Sequence, residues 1–442
     1  MAFVKSNQKR HSLTVFEYGL ISASDKANIV AHVQKISCQA FEYLKKICLS
    51  DEVDSAYLKL KVAHGMEVLQ MQNYAGVIIC PDGTQIEVLP KIAKVDAKTD
   101  NAEEARLSLL MMLKTLKRFR HIETEVASIK KQKMPLLEVF IAQFLRSVNL
   151  LVKKGIKNDY IREQNNSAFL KGKLLHSHQL KHNFVNRHRF YVEYDAYQAD
   201  QPANRLIRSA LQAVSKWAVV SKNKKLVQEL SFAFEAVPFS CDYHSDFSAI
   251  KLHRGMQHYD VPLKWARLIL EGFSPQSMTG RHDAYSLLFP MEAVFESFVA
   301  KYLAKHVPKS AELTSQVQRE SLVSYGARQY FRLKPDLYLK SPGETATIMD
   351  TKWKLIDQSK SSGSDKFGLS QSDFYQMLGY GYKYLNSEGL LILIYPRTES
   401  FNAPLEHYFS YDTEHKLRLK VVPFDVRPNC HERIAFNELG FI

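Results

Sequence analysis

The run Leu390-Leu391-Ile392-Leu393-Ile394-Tyr395, closed by Gly389 and Pro396, constrains the fold of this chain more than any other stretch. It is far too short to cross a bilayer, and it lacks the polar alternation of a half-exposed strand, so it reads as a buried strand. A buried strand needs cover, and its flanks supply it. Upstream, Met291, Val294, Phe295, Phe298, Val299 and Tyr302 recur at helical spacing, with Glu292 and Glu296 beside that face. Residues 331–340 and 345–354 read as strands about the turn Ser341-Pro342-Gly343-Glu344. Residues 369–385 then read as a helix, with Phe374, Met377, Leu378 and Gly381 near one face and Gln376 and Tyr380 an i,i+4 pair on the adjoining one. Helix, strand, turn, strand, helix and buried strand, in that order, predict an α+β arrangement: a mixed sheet flanked by helices.

The hairpin carries the chemistry. Folding about its turn brings Asp336 almost opposite Met349, so its carboxylate approaches that of Asp350. Strand alternation points Asp350 and Lys352 the same way. Two acids and a lysine at one spot can hold a divalent metal and polarise a phosphodiester. Magnesium prefers oxygen ligands and keeps several waters, one of which can become the nucleophile. The pattern Pro335-Asp336 followed by Asp350-Thr351-Lys352 resembles the active site of PD-(D/E)xK nucleases, and the order of elements matches their restriction-endonuclease-like core. That resemblance implies an additional acid on the first helix, where Glu296 falls, and an accessory Gln-x-x-x-Tyr on the following helix, here Gln376 and Tyr380. Read without it, Glu296 is a solvated helix glutamate, and Gln376 and Tyr380 are ordinary helix packing.

Further blocks lie upstream in the same order: Ile86-Glu87-Val88-Leu89-Pro90-Lys91-Ile92, then Asp195 with Pro202-Ala203-Asn204-Arg205-Leu206. Tyr259 and Trp265-Ala266-Arg267-Leu268-Ile269-Leu270-Glu271-Gly272 follow, and then Phe289-Pro290-Met291-Glu292-Ala293-Val294-Phe295-Glu296. Over about residues 65–400 the chain resembles the McrC family, the nuclease subunits of modification-dependent restriction systems. The resemblance implies a partner, a McrB-like AAA+ GTPase hexamer. It also implies double-stranded DNA as substrate, with cytosine modification recognised by the partner, and Mg²⁺ or Mn²⁺ as the metal held by Asp336, Asp350 and Glu296. In that family the N-terminal part enters the pore of the partner ring and stimulates its GTPase. The features available for this are the 65–92 hairpin region and the basic stretch with Lys114, Lys117, Arg118 and Arg120. Arg118 and Arg120 are the candidates to reach the partner's nucleotide site, although the same stretch also suits DNA or a solvated helix face. A stand-alone repair nuclease of the same superfamily and a catalytically inactive GTPase-activating scaffold are the alternative readings.

Composition agrees. A net charge of +14 and a pI near 9.3 suit a polyanionic partner, and basic side chains cluster at Lys130, Lys131 and Lys133, at Lys153, Lys154 and Lys157, and at Lys222, Lys224 and Lys225. The five cysteines, Cys38, Cys48, Cys80, Cys241 and Cys430, include no Cys-x-x-Cys pair, which argues against zinc and against a disulfide framework. The sixteen histidines form no His-Glu-x-x-His signature, and His176, His178, His182 and His188 lack a carboxylate partner in sequence. No Gly-x-x-x-x-Gly-Lys-Ser/Thr loop is present, so any GTP would be bound by another polypeptide. The opening residues lack the apolar core of a signal peptide and no segment suits a membrane span, so a prokaryotic cytoplasm is expected.

Three zones are expected: 1–130 as an N-terminal partner-docking region containing strands and helix, 131–280 as a mostly helical middle, and 281–442 as the nuclease domain. Within the first, a helix is expected over Ala27–Leu49 with Ile29, Val33, Ile36, Ala40 and Leu44 as its stripe. A hairpin turns at Pro81-Asp82-Gly83-Thr84. Helices are expected over Ala102–Arg118, Leu136–Val152, Asn204–Val220 and Pro262–Leu270, with strand or loop at Phe232–Pro238. Residues 96–104 and 359–367 read as polar loops.

Overall fold

The computed structural model describes residues 12–30, 32–49, 57–94, 102–116, 134–271, 285–308, 310–343, 345–414, 416–428, 430 and 432–439. The chain divides into two compact units, Met1–Leu136 with Ser274–Ile442, and Leu137–Phe273. The first and third zones of the sequence thus share one unit, because strands from both enter a single sheet.

In the first unit the N-terminal strands are β1 (Ser12–Phe16), β2 (Leu20–Ser22), β3 (Val33–Lys35), β4 (Leu58–Ala63), β5 (Met66–Met71), β6 (Tyr74–Ile79) and β7 (Gln85–Leu89), with helix α1 (Cys38–Leu49) between β3 and β4. The turn at Pro81–Thr84 joins β6 to β7 as the sequence indicates. The helix expected from Ala27 is shorter. Residues Val33–Lys35 instead pair in parallel with β2, and Ile29 is exposed. Val33 and Ile36 are buried all the same, so a helical stripe and a short strand used the same apolar residues. Helix α2 (Ala102–Leu113) follows, and Arg118 and Arg120 lie outside the described residues.

The second unit holds α3 (Leu136–Lys154, beginning one residue before the boundary), β8 (Asp159–Ser167), β9 (Lys173–Leu174), α4 (His176–Asn183), β10 (Phe190–Gln198), α5 (Pro202–Trp217), α6 (Ser221–Ala233), α7 (Tyr243–Ala249) and α8 (Asp260–Glu271). A three-stranded sheet therefore interrupts the helices expected there. The helix runs on through Phe232 to Ala233, and the rest of the stretch expected as strand or loop, 234–238, is turn and loop. The sequence blocks of this region meet around Asn204. Its amide donates to the carbonyls of Lys157 and Ala199, at 2.9 and 2.8 Å, and its Oδ1 accepts from the Tyr259 hydroxyl at 2.8 Å. A fully buried Asn with all these partners fixes the Pro202 end of α5.

The first unit resumes at β11 (Tyr285–Pro290), which pairs antiparallel with β6, giving a four-stranded sheet ordered β1-β7-β6-β11. After it come α9 (Met291–His306), β12 (Glu312–Ser315), β13 (Ser321–Tyr325), β14 (Arg328–Arg332), β15 (Leu337–Lys340), β16 (Thr347–Thr351), α10 (Gln371–Tyr384), β17 (Gly389–Pro396), β18 (Phe409–Ser410) and β19 (Leu417–Phe424). The main sheet runs β12-β15-β16-β17-β19-β18. Its β16, β17 and β19 are parallel and its flanking pairs antiparallel, which is the mixed sheet expected. The run Leu391–Tyr395 is fully buried. Leu391, Leu393 and Tyr395 pack with Ile348, Met377 and Tyr380 beneath α10, whereas Leu378, placed on the apolar face by its spacing, is exposed. Opposite, Phe295 of α9 meets Trp353 and Phe424.

Candidate active site

Pro335 has no N–H to give a ladder, and the strand expected over 331–340 breaks there. Residues up to Arg332 form a separate ribbon with β13, and β15 begins at Leu337. The register Leu337↔Met349 sets Asp336 level with Asp350, one step from the position expected opposite Met349. Asp336 Oδ2 accepts the Thr351 backbone N–H at 2.7 Å and the Thr351 hydroxyl at 2.6 Å. A carboxylate thus replaces a main-chain acceptor where the ladder has stopped, and the two acids are held side by side on that account.

Asp350 is 2% exposed. Burial first, and then the neighbouring Asp336, push its carboxyl up to about 7, with Lys352 acting in the other direction. Burial also raises Asp336, against the two Thr351 hydrogen bonds. Asp350 Oδ2 lies 2.6 Å from the Lys352 ammonium, a close ion pair between the two motif residues. Burial works against the charge on Lys352, but Asp350, Asp373 and Asp336 outweigh it and hold the ammonium above its ordinary pKa. Lys352 donates to Gln376 Oε1 at 2.8 Å, Gln376 Nε2 donates to the Tyr380 hydroxyl at 2.7 Å, and that hydroxyl donates to the Lys334 carbonyl at 3.0 Å. The structure therefore brings together Asp336, Asp350, Lys352 and Gln376.

Glu296 stands beside this group. Burial, then the charge of Asp336, raise its pKa, and Gln316 donates to it at 2.7 Å. Among the described residues no three His, Cys, Asp or Glu side chains converge as a metal cluster, so Asp336 and Asp350 are the close acidic pair, with Glu296 near enough to feel the charge of Asp336. The site nonetheless suits a hard divalent cation. It offers two adjacent carboxylates, Asp350 buried and Asp336 half-buried, with the Lys352 ammonium as their close counter-charge.

Several residues of the site were missed by motif reading. Asp373, one turn before Gln376, accepts from Lys354 at 2.8 and 3.0 Å and from the Tyr395 hydroxyl at 3.2 Å, and lies 4.0 Å from Lys352. Its i,i+3 spacing to Gln376 was the available signal. Gln316 donates its backbone N–H to the Asp336 carbonyl at 2.8 Å and adopts φ 54°, a left-handed conformation uncommon for a residue with a side chain. Behind the motif, Trp353 is buried and its indole donates to Glu17 at 3.0 Å, while its carbonyl accepts the Lys91 ammonium at 2.7 Å. Glu17 also accepts the Lys91 backbone N–H at 2.8 Å, and burial raises its carboxyl to about 7 despite Lys91. Lys91 falls in one of the sequence blocks, but nothing local announces that its partner is Trp353.

A mixed sheet flanked by helices, with paired acids and a lysine at its central hairpin, defines an α+β protein with an acid–lysine site. Residues 69–396 match the family model described as the McrBC 5-methylcytosine restriction system component, and the chain belongs to that family. It is 20% identical over 302 residues to the type IV methyl-directed restriction enzyme EcoKMcrBC of Escherichia coli (strain K12), covering 66% of this chain and 82% of that protein. Its fold is similar to that of a chain in the half-complex of Thermococcus gammatolerans McrB AAA+ hexamers with bound McrC. The TM-score is 0.65 at 19% identity, over 94% of both chains.

Proposed function

We propose that this chain is the DNA endonuclease subunit of a GTP-dependent, McrBC-like restriction system that cleaves cytosine-modified double-stranded DNA in the prokaryotic cytoplasm. Asp350 carries the reading: a carboxylate this deeply buried beside a second acid, with the Lys352 ammonium at 2.6 Å as the one close positive charge among the described residues, is costly unless a further cation is held there. Asp336 and Asp350 would hold Mg²⁺, or Mn²⁺, with Glu296 as the additional acid. When bound, the cation supplies positive charge that polarises the scissile phosphate and acidifies a water. Lys352 is held protonated by its three acidic neighbours, so its part is to stabilise negative charge on the phosphate rather than to remove a proton. Gln376 fixes the lysine's direction through the chain to Tyr380.

No phosphate loop occurs in the sequence, and the McrB AAA+ hexamers of the similar Thermococcus assembly supply the model for the missing motor. Arg118 and Arg120 remain the candidates for stimulating such a GTPase. The test is cleavage of methylated plasmid by the chain together with its GTPase, with and without GTP and Mg²⁺, beside Asp350→Ala. Cutting that needs GTP, metal and Asp350 is expected. Wild-type cutting by Asp350→Ala would refute the site, and cutting by the chain alone without GTP would make it a stand-alone nuclease.

A further inference from the structure

The ribbon β13–β14 is the feature that the site's chemistry leaves unused. It is a two-stranded sheet of its own, and from Leu322 to Arg332 every residue is exposed. An isolated ribbon has no core of its own to hide apolar side chains. This one nevertheless displays Val323, Tyr325 (82% exposed), Tyr330 and Phe331 (73%). The pairs Val323↔Tyr330 and Tyr325↔Arg328 place Val323, Tyr325 and Tyr330 on one face together with Arg328 and Arg332, while Phe331 alternates to the other. Arg319, Arg328 and Arg332 lie beside them, against the single acid Glu320, whereas the charge of Lys334 acts on Glu296 and Asp336 of the site. Phe331 has φ 57°, a left-handed backbone that a bulky residue rarely adopts.

The root of the ribbon is tied to the site. The Tyr384 hydroxyl donates to the Leu333 carbonyl at 3.0 Å and accepts the Glu320 N–H at 3.3 Å. The Tyr380 hydroxyl joins the Lys334 carbonyl to Gln376 and so to Lys352. Two residues after the ribbon's root lies Asp336.

We propose that this ribbon is a DNA-docking wing. A two-stranded ribbon has the width that a B-DNA major groove admits. Arg328 and Arg332 would contact phosphates, Tyr325 and Tyr330 would lie against sugars and bases, and the tyrosine-anchored root would carry the bound duplex toward Asp336 and Asp350. The inference rests on the nuclease reading for its substrate, but it is measured without cleavage.

The experiment is fluorescence anisotropy of the intact chain with a labelled 30-base-pair duplex in EDTA, titrated over a range of salt concentrations. Arg328→Ala with Arg332→Ala is expected to weaken binding by about tenfold or more and to lower the slope of log K against log salt by about 2, since each phosphate contact contributes about 0.9. Arg328→Lys with Arg332→Lys should restore most of the slope, and Tyr325→Ala should weaken binding while leaving it unchanged. Wild-type affinity and slope in the double alanine variant would overturn the wing. Unchanged DNA binding with altered assembly mass would overturn it too, and would make the ribbon a protein contact. If Asp350→Ala were to retain cleavage, the nuclease site would fall while these binding data still decided the wing.

Discussion

Burial leaves Asp350 with three competing ways to be neutralised: a proton, the Lys352 ammonium, or a divalent cation. A cation must displace the proton, so its affinity should rise with pH until the carboxyl is ionised, near 7. Thermal-shift titrations with Mg²⁺ are expected to show greater stabilisation at pH 8 than at pH 6, and none in Asp350→Asn, which should also lack cleavage. Gln376 touches the lysine rather than the acids. Its replacement by alanine should therefore spare metal binding while reducing cleavage by about 10- to 100-fold, the usual cost of losing an orienting partner. The shared side of Asp350 and Lys352 was legible because strand alternation fixes it by spacing alone, whereas Asp336, held outside the ladder, lies one step from its expected register. Asp373, Gln316 and Thr351 were not legible, since they enter the site through a helix turn, a left-handed residue and a backbone donor that no motif encodes.

At the scale of elements, the strand end after Lys352 is secured by Glu17 and Lys91. Replacing Glu17 by alanine removes the acceptor of the Trp353 indole and of the Lys91 backbone N–H and leaves the buried Lys91 ammonium without this counter-charge, and should cost about 3–5 kcal/mol by chemical denaturation. The conservative Glu17→Gln gives the pH signature. Its carboxyl is raised in the folded state from 4.5 to about 7, so the native protein binds the proton more tightly than the unfolded chain. Wild-type stability should consequently fall as pH rises from about 4.5 to 7, by an amount on the order of 3 kcal/mol, and the fall should be absent in Glu17→Gln. Long apolar elements such as α9, α10 and β17 could be read from periodicity. The stretch from Ala27 to Lys35 could not, because its apolar residues fit both periods and the parallel pairing with β2 decides between them.

For the molecule as a whole, the sheet β1-β7-β6-β11 joins segments from the two ends of the first unit. Gly76 permits the closest approach in that sheet. At its φ of 145° an added Cβ would stand 1.9 Å from the Leu287 carbonyl oxygen. Gly76→Ala is expected to abolish cooperative folding of the first unit, seen as loss of its thermal transition, since the obstacle is backbone rather than a movable side chain. An isolated 281–442 fragment would lack Glu17, Lys91 and the strand that pairs with β11. Circular dichroism and solubility should show it failing to fold, whereas independent folding would mean that the sheet is dispensable.

The pairing of β6 with β11 also sets a schedule. On a ribosome, β6 emerges about 200 residues before its neighbour, which at ordinary synthesis rates is roughly 10–40 s. Throughout that interval the edge of β6 stands open to any passing strand, and Glu17 and Lys91 have no tryptophan to meet. The acids of the hairpin come later still, and β17, the parallel strand beside Asp350, follows them. A nascent chain therefore holds no assembled acid–lysine site until β17, which ends at Pro396, has emerged to pair with β16.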